Sequence, residues 1–154
     1  MNDLIADTKI LGQILLDDES ILGSSFKLTK LRKLVGIVFQ RPNPFPLRIF
    51  QNVAYDLRVH GIYCKHTIEE NVESALQATG LWDDLKDKLH MSALEISPEQ
   101  QQWLCNSRLL AVEPEVLLME EPCSALDDIT TIQIEDLMRE LATRYTMVIV
   151  IHNM

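Results

Sequence analysis

Short apolar runs separated by amphipathic stretches form the main pattern of this chain. Val35–Phe39, Glu115–Glu120 and Thr146–Ile151 are rich in aliphatic residues on both faces, which is typical of strands buried in a parallel sheet. Gly12–Asp17 is a fourth short apolar run that ends in acids, and it also predicts a strand. These runs are too short for helices of ordinary length, so we expect a sheet.

The stretches between these runs have helical periodicity. Three prolines between Arg41 and Pro46 remove backbone donors and predict a stiff extended loop before the helical part begins. The order strand, helix, long helical insert, strand, helix, strand predicts an α/β domain with a parallel sheet. The predicted helices are Phe26–Leu34, a helix from Ile49 to a stop at His60-Gly61, Thr67–Thr79 with a stop at Gly80, and Ile129–Arg144.

Length, charge and cysteine content exclude several classes of function. A length of 154 residues predicts one domain. The net charge of -9 argues against binding nucleic acid through its phosphates, so we expect no nucleic-acid partner. The chain contains neither an apolar run long enough to cross a membrane nor a signal-peptide pattern at Met1. Its three cysteines contain no C-x-x-C pair, which fits a reducing cytosol, and we expect no metal site at His60, His66 and His90.

Polar side chains follow three of the predicted strands at the point where each apolar run ends. These are Gln40, the pair Glu120-Glu121, and His152. Ligands of parallel sheets bind at the carboxyl ends of the strands. An amide, two carboxylates and an imidazole at one edge therefore suggest a site for a metal-bound phosphate and an activated water.

Several strings carry a resemblance to a known family. They are Val35–Pro46 (VGIVFQRPNPFP), Asn52–Tyr55, Glu113–Pro122 (EPEVLLMEEP), Ser124–Asp127 and Ile151–Met154, and Met1–Leu4 fits as well. Together they resemble the ATP-binding subunit of the bacterial phosphate-import ABC transporter over essentially the whole chain. The PNPFP stretch favours the phosphate importer within that superfamily.

The resemblance implies a catalytic role for three of these strand-end residues. Gln40 matches the Q-loop glutamine, which senses magnesium and the attacking water and couples to the membrane subunit. Glu120 occupies the magnesium-binding Walker B position, and Glu121 matches the general base beside it. His152 matches the switch histidine, so Glu121, His152 and Gln40 are the implied catalytic residues, and Gln40 and Glu120 the implied metal ligands.

Further implied contacts concern the nucleotide and the partners. Ser97 and Gln100 lie in the signature segment, which contacts the γ-phosphate bound on an opposite subunit, and Asp127 matches the D-loop aspartate of the dimer interface. The implied cofactors are ATP and Mg²⁺. The implied partners are transporter membrane subunits and a second ATP-binding subunit, either a copy of this chain or an intact ATPase. The implied location is the cytoplasmic face of the plasma membrane.

The fold that the resemblance implies is a P-loop NTPase, with a RecA-like core and an inserted helical subdomain. We expect one partial ABC ATP-binding domain over residues 1–154, with the core in 1–43 and 111–154 and the helical subdomain in 44–110. Because the chain begins about where the P-loop helix of the family ends, we expect it to lack the P-loop strand and the C-terminal elements. That would leave the apolar strand Thr146–Ile151 with an unpaired edge.

The sequence also departs from the family pattern at positions that matter for phosphate binding. No G-x-x-x-x-G-K-[ST] segment is present, and Glu120 replaces the usual aspartate. The signature segment reads Ile96–Gln100 (ISPEQ), in which Pro98 removes a donor and Glu99 adds a negative charge. Ser97, Pro98 and Gln100 still suit a helix start, so we expect the helix to be kept and the phosphate contact weakened.

Three hypotheses follow. The first is an ATP-binding subunit of a phosphate importer that energises transport by ATP hydrolysis in the intact family, with this chain an incomplete or inactive copy that does not hydrolyse ATP alone. The second is a non-enzymatic interaction module that docks through Arg41–Leu57 on the membrane subunits or on an intact ATPase. The third is an ATP-binding subunit of another ABC importer, for amino acids or phosphonate, because other subunits choose the substrate.

Overall fold

A computed structural model describes residues 12–22, 27–39, 41–121 and 128–151 of the chain. Within these ranges no helix is both long and apolar enough to cross a membrane. The chain divides into two compact units, Met1–Arg32 and Lys33–Met154. Nothing in the geometry tests the predicted boundaries at 43 and 111, which stay predictions.

The first unit contains a small hairpin. β1 (Leu15–Leu16) pairs antiparallel with β2 (Glu19–Ser20). The turn between them uses Asp17 and Asp18 with φ of 47° and 62°, which is the geometry of the tight two-residue turns that suit twisted strands. The predicted strand Gly12–Asp17 is therefore shorter than expected, because the chain already reverses at Asp17.

The second unit contains a parallel sheet of three strands. α1 (Leu28–Leu34) leads directly into β3 (Val35–Val38), and β4 (Val116–Glu120) and β5 (Thr146–Val150) follow later in the chain. The strand order is β3-β4-β5, and both pairings are parallel. The parallel sheet predicted from the three apolar runs is confirmed.

The helices agree closely with the periodicity of the sequence. Gly61 and Gly80 have φ of 86° and 72°, so the two predicted glycine stops adopt the left-handed conformation that ends helices. Trp82 is half-buried against the core, at the start of a short helix. The helices are α2 (Ile49–Val59), α3 (Lys65–Ala78), α4 (Trp82–Leu85) followed by a 3₁₀ turn at Lys86–Lys88, α5 (Pro98–Leu110) and α6 (Asp128–Leu141).

One continuous apolar core joins the helices to the sheet. Its fully buried members include Leu57, Leu76, Leu104 and Leu117. Gly36 lets α5 approach β3 closely, because a Cβ at that position would lie 2.2 Å from the Cδ1 atom of Leu109. This close approach fixes α5 against the sheet and so sets where the two ends of α5 lie.

β5 differs from the expectation of a strand buried on both faces. Among the described residues it pairs only with β4. Val148, Ile149 and Val150 are 47%, 40% and 46% exposed. An apolar run alone predicts a strand, but its burial depends on which elements lie beside it, and here one edge has no neighbour in the described part of the chain.

Candidate functional site

The carboxyl ends of the three parallel strands lie side by side. Val38 pairs with Met119, and Glu120 pairs with Val150. Phe39 follows Val38, and Glu120 follows Met119. Because the strands pair up to these residues, their ends lie about 4.8 Å apart, the usual spacing between neighbouring strands. The predicted site residues Gln40 and His152 lie outside the described residues, as does Asp127.

The two adjacent carboxylates differ in their backbone geometry. Glu120 is the exposed last residue of β4. Glu121 is half-buried and has a φ of 43°, a left-handed conformation that costs a non-glycine residue about 1–3 kcal/mol. Its N–H donates a 3.0 Å hydrogen bond to the carbonyl of Val150, which holds the strained residue against the end of β5.

A cavity of about 460 Å³ opens beside Glu120. Phe39, Arg41, Pro42 and Asn43 form the rest of its lining. It therefore connects the end of β3, the end of β4 and the proline-rich loop. The arrangement places one carboxylate and one guanidinium at the sheet edge where ligands of parallel sheets bind.

The second predicted set, Ser97 and Gln100, lies at the start of α5. The hydroxyl of Ser97 accepts from the N–H of Gln100 at 3.1 Å, and the side chain of Gln100 accepts from the N–H of Ser97 at 3.3 Å. Pro98 is the first residue of the helix. The expected capping box is confirmed, so both polar side chains hold the helix start, and the N–H groups of Ser97 and Gln100 already donate within it.

The surroundings of this helix start are acidic. A cavity of about 580 Å³ is lined there by Ser97 and Gln100 together with Asp84, Glu99, Asp136 and Glu140. The residues that line it, all within the described ranges, include neither lysine nor arginine. Carboxylates that line the cavity repel a phosphate bound in it and oppose the attraction of a helix N-terminus, although Asp136 is itself paired with Arg139.

Residues 41–48, called here the proline-rich segment, are held to α2 by one buried amide. The side chain of Asn52 accepts from the N–H of Phe45 at 2.8 Å. It donates to the carbonyls of Phe45, Leu47 and Arg48 at 3.1, 3.3 and 3.2 Å. Asn52 is 1% exposed, so these bonds satisfy a polar group that would be costly to bury alone.

Arg108 of α5 holds the other side of the proline-rich segment. Its Nη1 atom donates to the carbonyl of Asn43 at 3.2 Å, and its guanidinium lies 4.2 Å from the ring centre of Phe45. Phe45 in turn packs against Tyr55, with 4.7 Å between ring centres. Sequence reasoning did not single out Arg108, because Asn43, whose carbonyl it binds, is 65 residues away along the chain.

With this geometry in hand, similarity to known proteins decides the family. Residues 4–124 match the ABC transporter family. The chain belongs to this family. Two curated proteins named phosphate import ATP-binding protein are similar over all 154 residues: PstB 3 of Streptococcus pneumoniae serotype 4 at 52% identity and PstB of Bacteroides fragilis strain ATCC 25285 at 54%. The chain spans 62% and 61% of their lengths.

Solved structures of other ABC proteins have the same fold. CbiO1 of Clostridium perfringens, described as part of the ABC transporter complex cbiONQ, superposes with a TM-score of 0.79 at 28% identity and covers 93% of this chain and 57% of its own. A bacterial Atm1-family ABC exporter with ATP bound gives 0.72 at 27% identity, covering 93% of this chain and 25% of its own. The predicted ABC ATPase fold is confirmed.

ABC ATPases use ATP and Mg²⁺, and the described residues fit these two cofactors unequally. Glu120 supplies an exposed carboxylate oxygen, the kind of ligand that Mg²⁺ prefers. The acidic cavity at the start of α5 does not fit a triphosphate, since its charged lining residues are carboxylates. The described part of this ABC chain thus places a carboxylate of the kind that suits Mg²⁺ at the sheet edge, whereas the carboxylates around the start of α5 disfavour a phosphate there.

Proposed function

We propose that this chain forms part of the ATP-binding subunit of a phosphate importer. The support is 52–54% identity over its full length to proteins named for phosphate import. The observation that carries the proposal is the strand register, which aligns the ends of β3, β4 and β5 at one edge. In this arrangement Glu120 binds Mg²⁺, Glu121 is the general base, and Gln40 and His152 complete the site.

The same proposal assigns weaker roles to the residues at the start of α5. Ser97 and Gln100 retain the helix cap, while Glu99 and Pro98 oppose contact with a γ-phosphate. Phosphoryl transfer depends mainly on positioning and on stabilising negative charge. The sequence contains no G-x-x-x-x-G-K-[ST] loop, and the described residues that line the cavity at the start of α5 include no lysine or arginine, so we expect no ATP turnover by the purified chain.

The proposed partners are the membrane subunits of the importer and a second ATP-binding subunit that contacts Asp127. The proposed location is the cytoplasmic face of the plasma membrane. The proline-rich segment and the exposed side of α2 form the docking surface. Tyr55 and Val59 on that side are 44% and 63% exposed, and Arg48 and Arg58 beside them are also exposed.

Copurification with the membrane subunits of a phosphate importer tests the proposed partner. The tagged chain should retain these subunits from detergent extract and should not retain those of an amino-acid importer. Tyr55→Asp should abolish retention because it places a charge in the docking surface. Ile132→Asp, at an apolar residue of α6 that is 58% exposed, is the matched control and should retain them. Equal retention by both variants would contradict the proposed surface, and preference for the amino-acid importer would favour that class instead.

A second candidate function is an interaction module without nucleotide chemistry. It is favoured by the difference between the proline-rich segment and the start of α5. The side chain of Asn52 fixes the proline-rich segment by accepting one hydrogen bond and donating three, whereas the start of α5 faces an acidic cavity. A module of this kind docks equally well with and without MgATP. If added MgATP changes retention of the membrane subunits, and Glu120→Ala, which removes the proposed Mg²⁺ ligand, abolishes that change, a nucleotide-binding function holds instead.

A further inference from the structure

The proline-rich segment has two attachments, one to α2 through its second half and one to α5 that reaches both halves. Asn52 of α2 bonds to Phe45, Leu47 and Arg48, which form the second half. α5 holds the first half, where the carbonyl of Asn43 accepts from Arg108. The first half is also the part that lines the cavity beside Glu120, so its position matters most for the sheet edge.

Two groups of the segment contact the guanidinium of Arg108, namely the carbonyl of Asn43 and the face of the Phe45 ring. Burial raises the pKa of the half-buried Asp56 carboxyl on α2, and the charge of Arg108 offsets this rise in part. A guanidinium can donate in its plane and stack on a ring at the same time, which an ammonium group does less well. The arginine therefore joins α5 to the segment.

The thiol of Cys105 lies one turn earlier on α5, near the same loop residue. Burial raises the pKa of this thiol, and the nearby backbone of Asn43 offsets that rise in part. Cys105 is half-buried. Because Asn43 lies near both side chains, we expect release of the loop from α5 to expose the sulfur further to a reagent in solvent.

We propose that Arg108 is a positioning residue that fixes the first half of the proline-rich segment, residues 41–44, against α5 beside the carboxyl edge of the sheet. Its significance for transport rests on the proposed function, in which this segment docks on the membrane subunits. The attachment itself is a property of the isolated chain. Through it, any displacement of α5, whose first turn carries Ser97 and Gln100, also displaces the loop that follows Gln40.

Labelling of the Cys105 thiol measures detachment of the loop directly. The test uses the full chain with Cys64 and Cys123 changed to serine, so that Cys105 is the sole thiol, and a chromogenic disulfide reagent at low denaturant. Arg108→Met keeps the length of the side chain and removes the charge and the donor. It should raise the labelling rate about tenfold, the effect of losing one hydrogen bond and one cation–π contact.

Two features of this experiment separate positioning from general destabilisation. If the thiol becomes accessible by local opening, the labelling rate does not depend on the denaturant concentration in the low range. If it becomes accessible by global unfolding, the rate rises with the denaturant concentration. Burial raises the pKa of the thiol, and the Arg108 charge partly offsets this rise, so loss of that charge raises the pKa further. A higher pKa slows labelling, so faster labelling in the variant reports greater access to the sulfur.

The controls are a conservative variant and a second cation–ring pair. Arg108→Lys keeps a charge and a donor, and it should return the rate to within about threefold of the parent. Arg144→Met removes the guanidinium that lies 5.6 Å from the ring centre of Tyr145 and should leave the rate unchanged. An unchanged rate in Arg108→Met overturns the proposal, as does acceleration that follows global unfolding. Failure of the chain to bind membrane subunits would overturn the proposed function and leave this result intact.

Discussion

At the scale of single residues, Glu121 combines chemistry with backbone strain. It follows β4 directly, has a φ of 43°, and is held by a bond from its N–H to Val150. A left-handed non-glycine residue persists only when its surroundings determine its conformation, and such residues concentrate at functional sites. The backbone therefore gives a reason, independent of the sequence pattern, to regard this carboxylate as a functional group.

Comparing glycine and alanine at this position measures the strain. Both Glu121→Gly and Glu121→Ala remove the side chain, so their difference isolates the backbone. We expect the glycine variant to be more stable by about 1 kcal/mol, because glycine tolerates positive φ. Urea unfolding of the two variants gives the difference. At Glu120, which lies within the strand, the alanine variant should be more stable than the glycine variant. The same order of stability at both positions would show that Glu121 is not strained.

Asp56 provides a second residue-scale test, through pH. Burial raises the pKa of its carboxyl above the ordinary 3.8, and the charges of Arg108 and His60 offset this only in part. The folded state then holds the proton more tightly than the unfolded chain does. The charged carboxylate therefore lowers stability at neutral pH, and this penalty disappears as the pH falls through the folded pKa towards 3.8.

Asp56→Asn should accordingly be more stable than the parent at pH 7, with an advantage that shrinks as the solution is acidified. Denaturant unfolding of both chains at several pH values between neutral and about pH 4 measures this advantage. Glu95→Gln, at an exposed carboxylate, controls for the general loss of negative charge. An advantage that grows on acidification would contradict the assigned direction of the pKa shift.

At the scale of elements, the packing of α5 on β3 sets the geometry of the site. Gly36 gives Leu109 room, since a Cβ there would lie 2.2 Å from Cδ1 and 2.8 Å from Cγ of that leucine. α5 carries the capped start at Ser97 near one end and Arg108 near the other. Its contact with the sheet thus determines both the acidic cavity and the position of the proline-rich segment.

Gly36→Ala should destabilise the chain by about 1–3 kcal/mol through overpacking against Leu109. Leu109→Ala removes the clashing atoms, so the double variant should be more stable than the sum of the single effects predicts. A double-mutant cycle by urea unfolding measures this coupling, which we expect to be about 1 kcal/mol or more. If the effects of the two substitutions are additive, the contact between residue 36 and Leu109 does not affect stability.

The sequence predicts an element well when neighbouring residues determine its structure. The start of α5 depends on Ser97, Pro98 and Gln100, which lie within four residues, and its capping box was foreseen in detail. The hairpin turn was missed because Asp17 and Asp18 adopt positive φ without the glycine that usually announces it. Periodicity could locate the apolar strand β5, but its exposure depends on neighbouring strands.

At the scale of the whole molecule, register and long-range contacts assemble the site. The sequence indicated that polar residues follow the parallel strands, and the register aligns the ends of these strands at one edge. It could not indicate that Asp84, Asp136 and Glu140 would surround the start of α5, because they come from other helices. The chain has a net charge of -9. Part of this negative charge thus lies around the start of α5, the segment to which the resemblance assigns a γ-phosphate contact.

We expect these 154 residues to keep the ABC fold and its carboxylates but not to hydrolyse ATP alone. Steady-state release of phosphate from MgATP by the purified chain tests this expectation most directly, with Glu121→Gln purified in parallel to expose any contaminating ATPase. Both proteins should show the same background rate. Turnover by the parent chain that Glu121→Gln abolishes would contradict it.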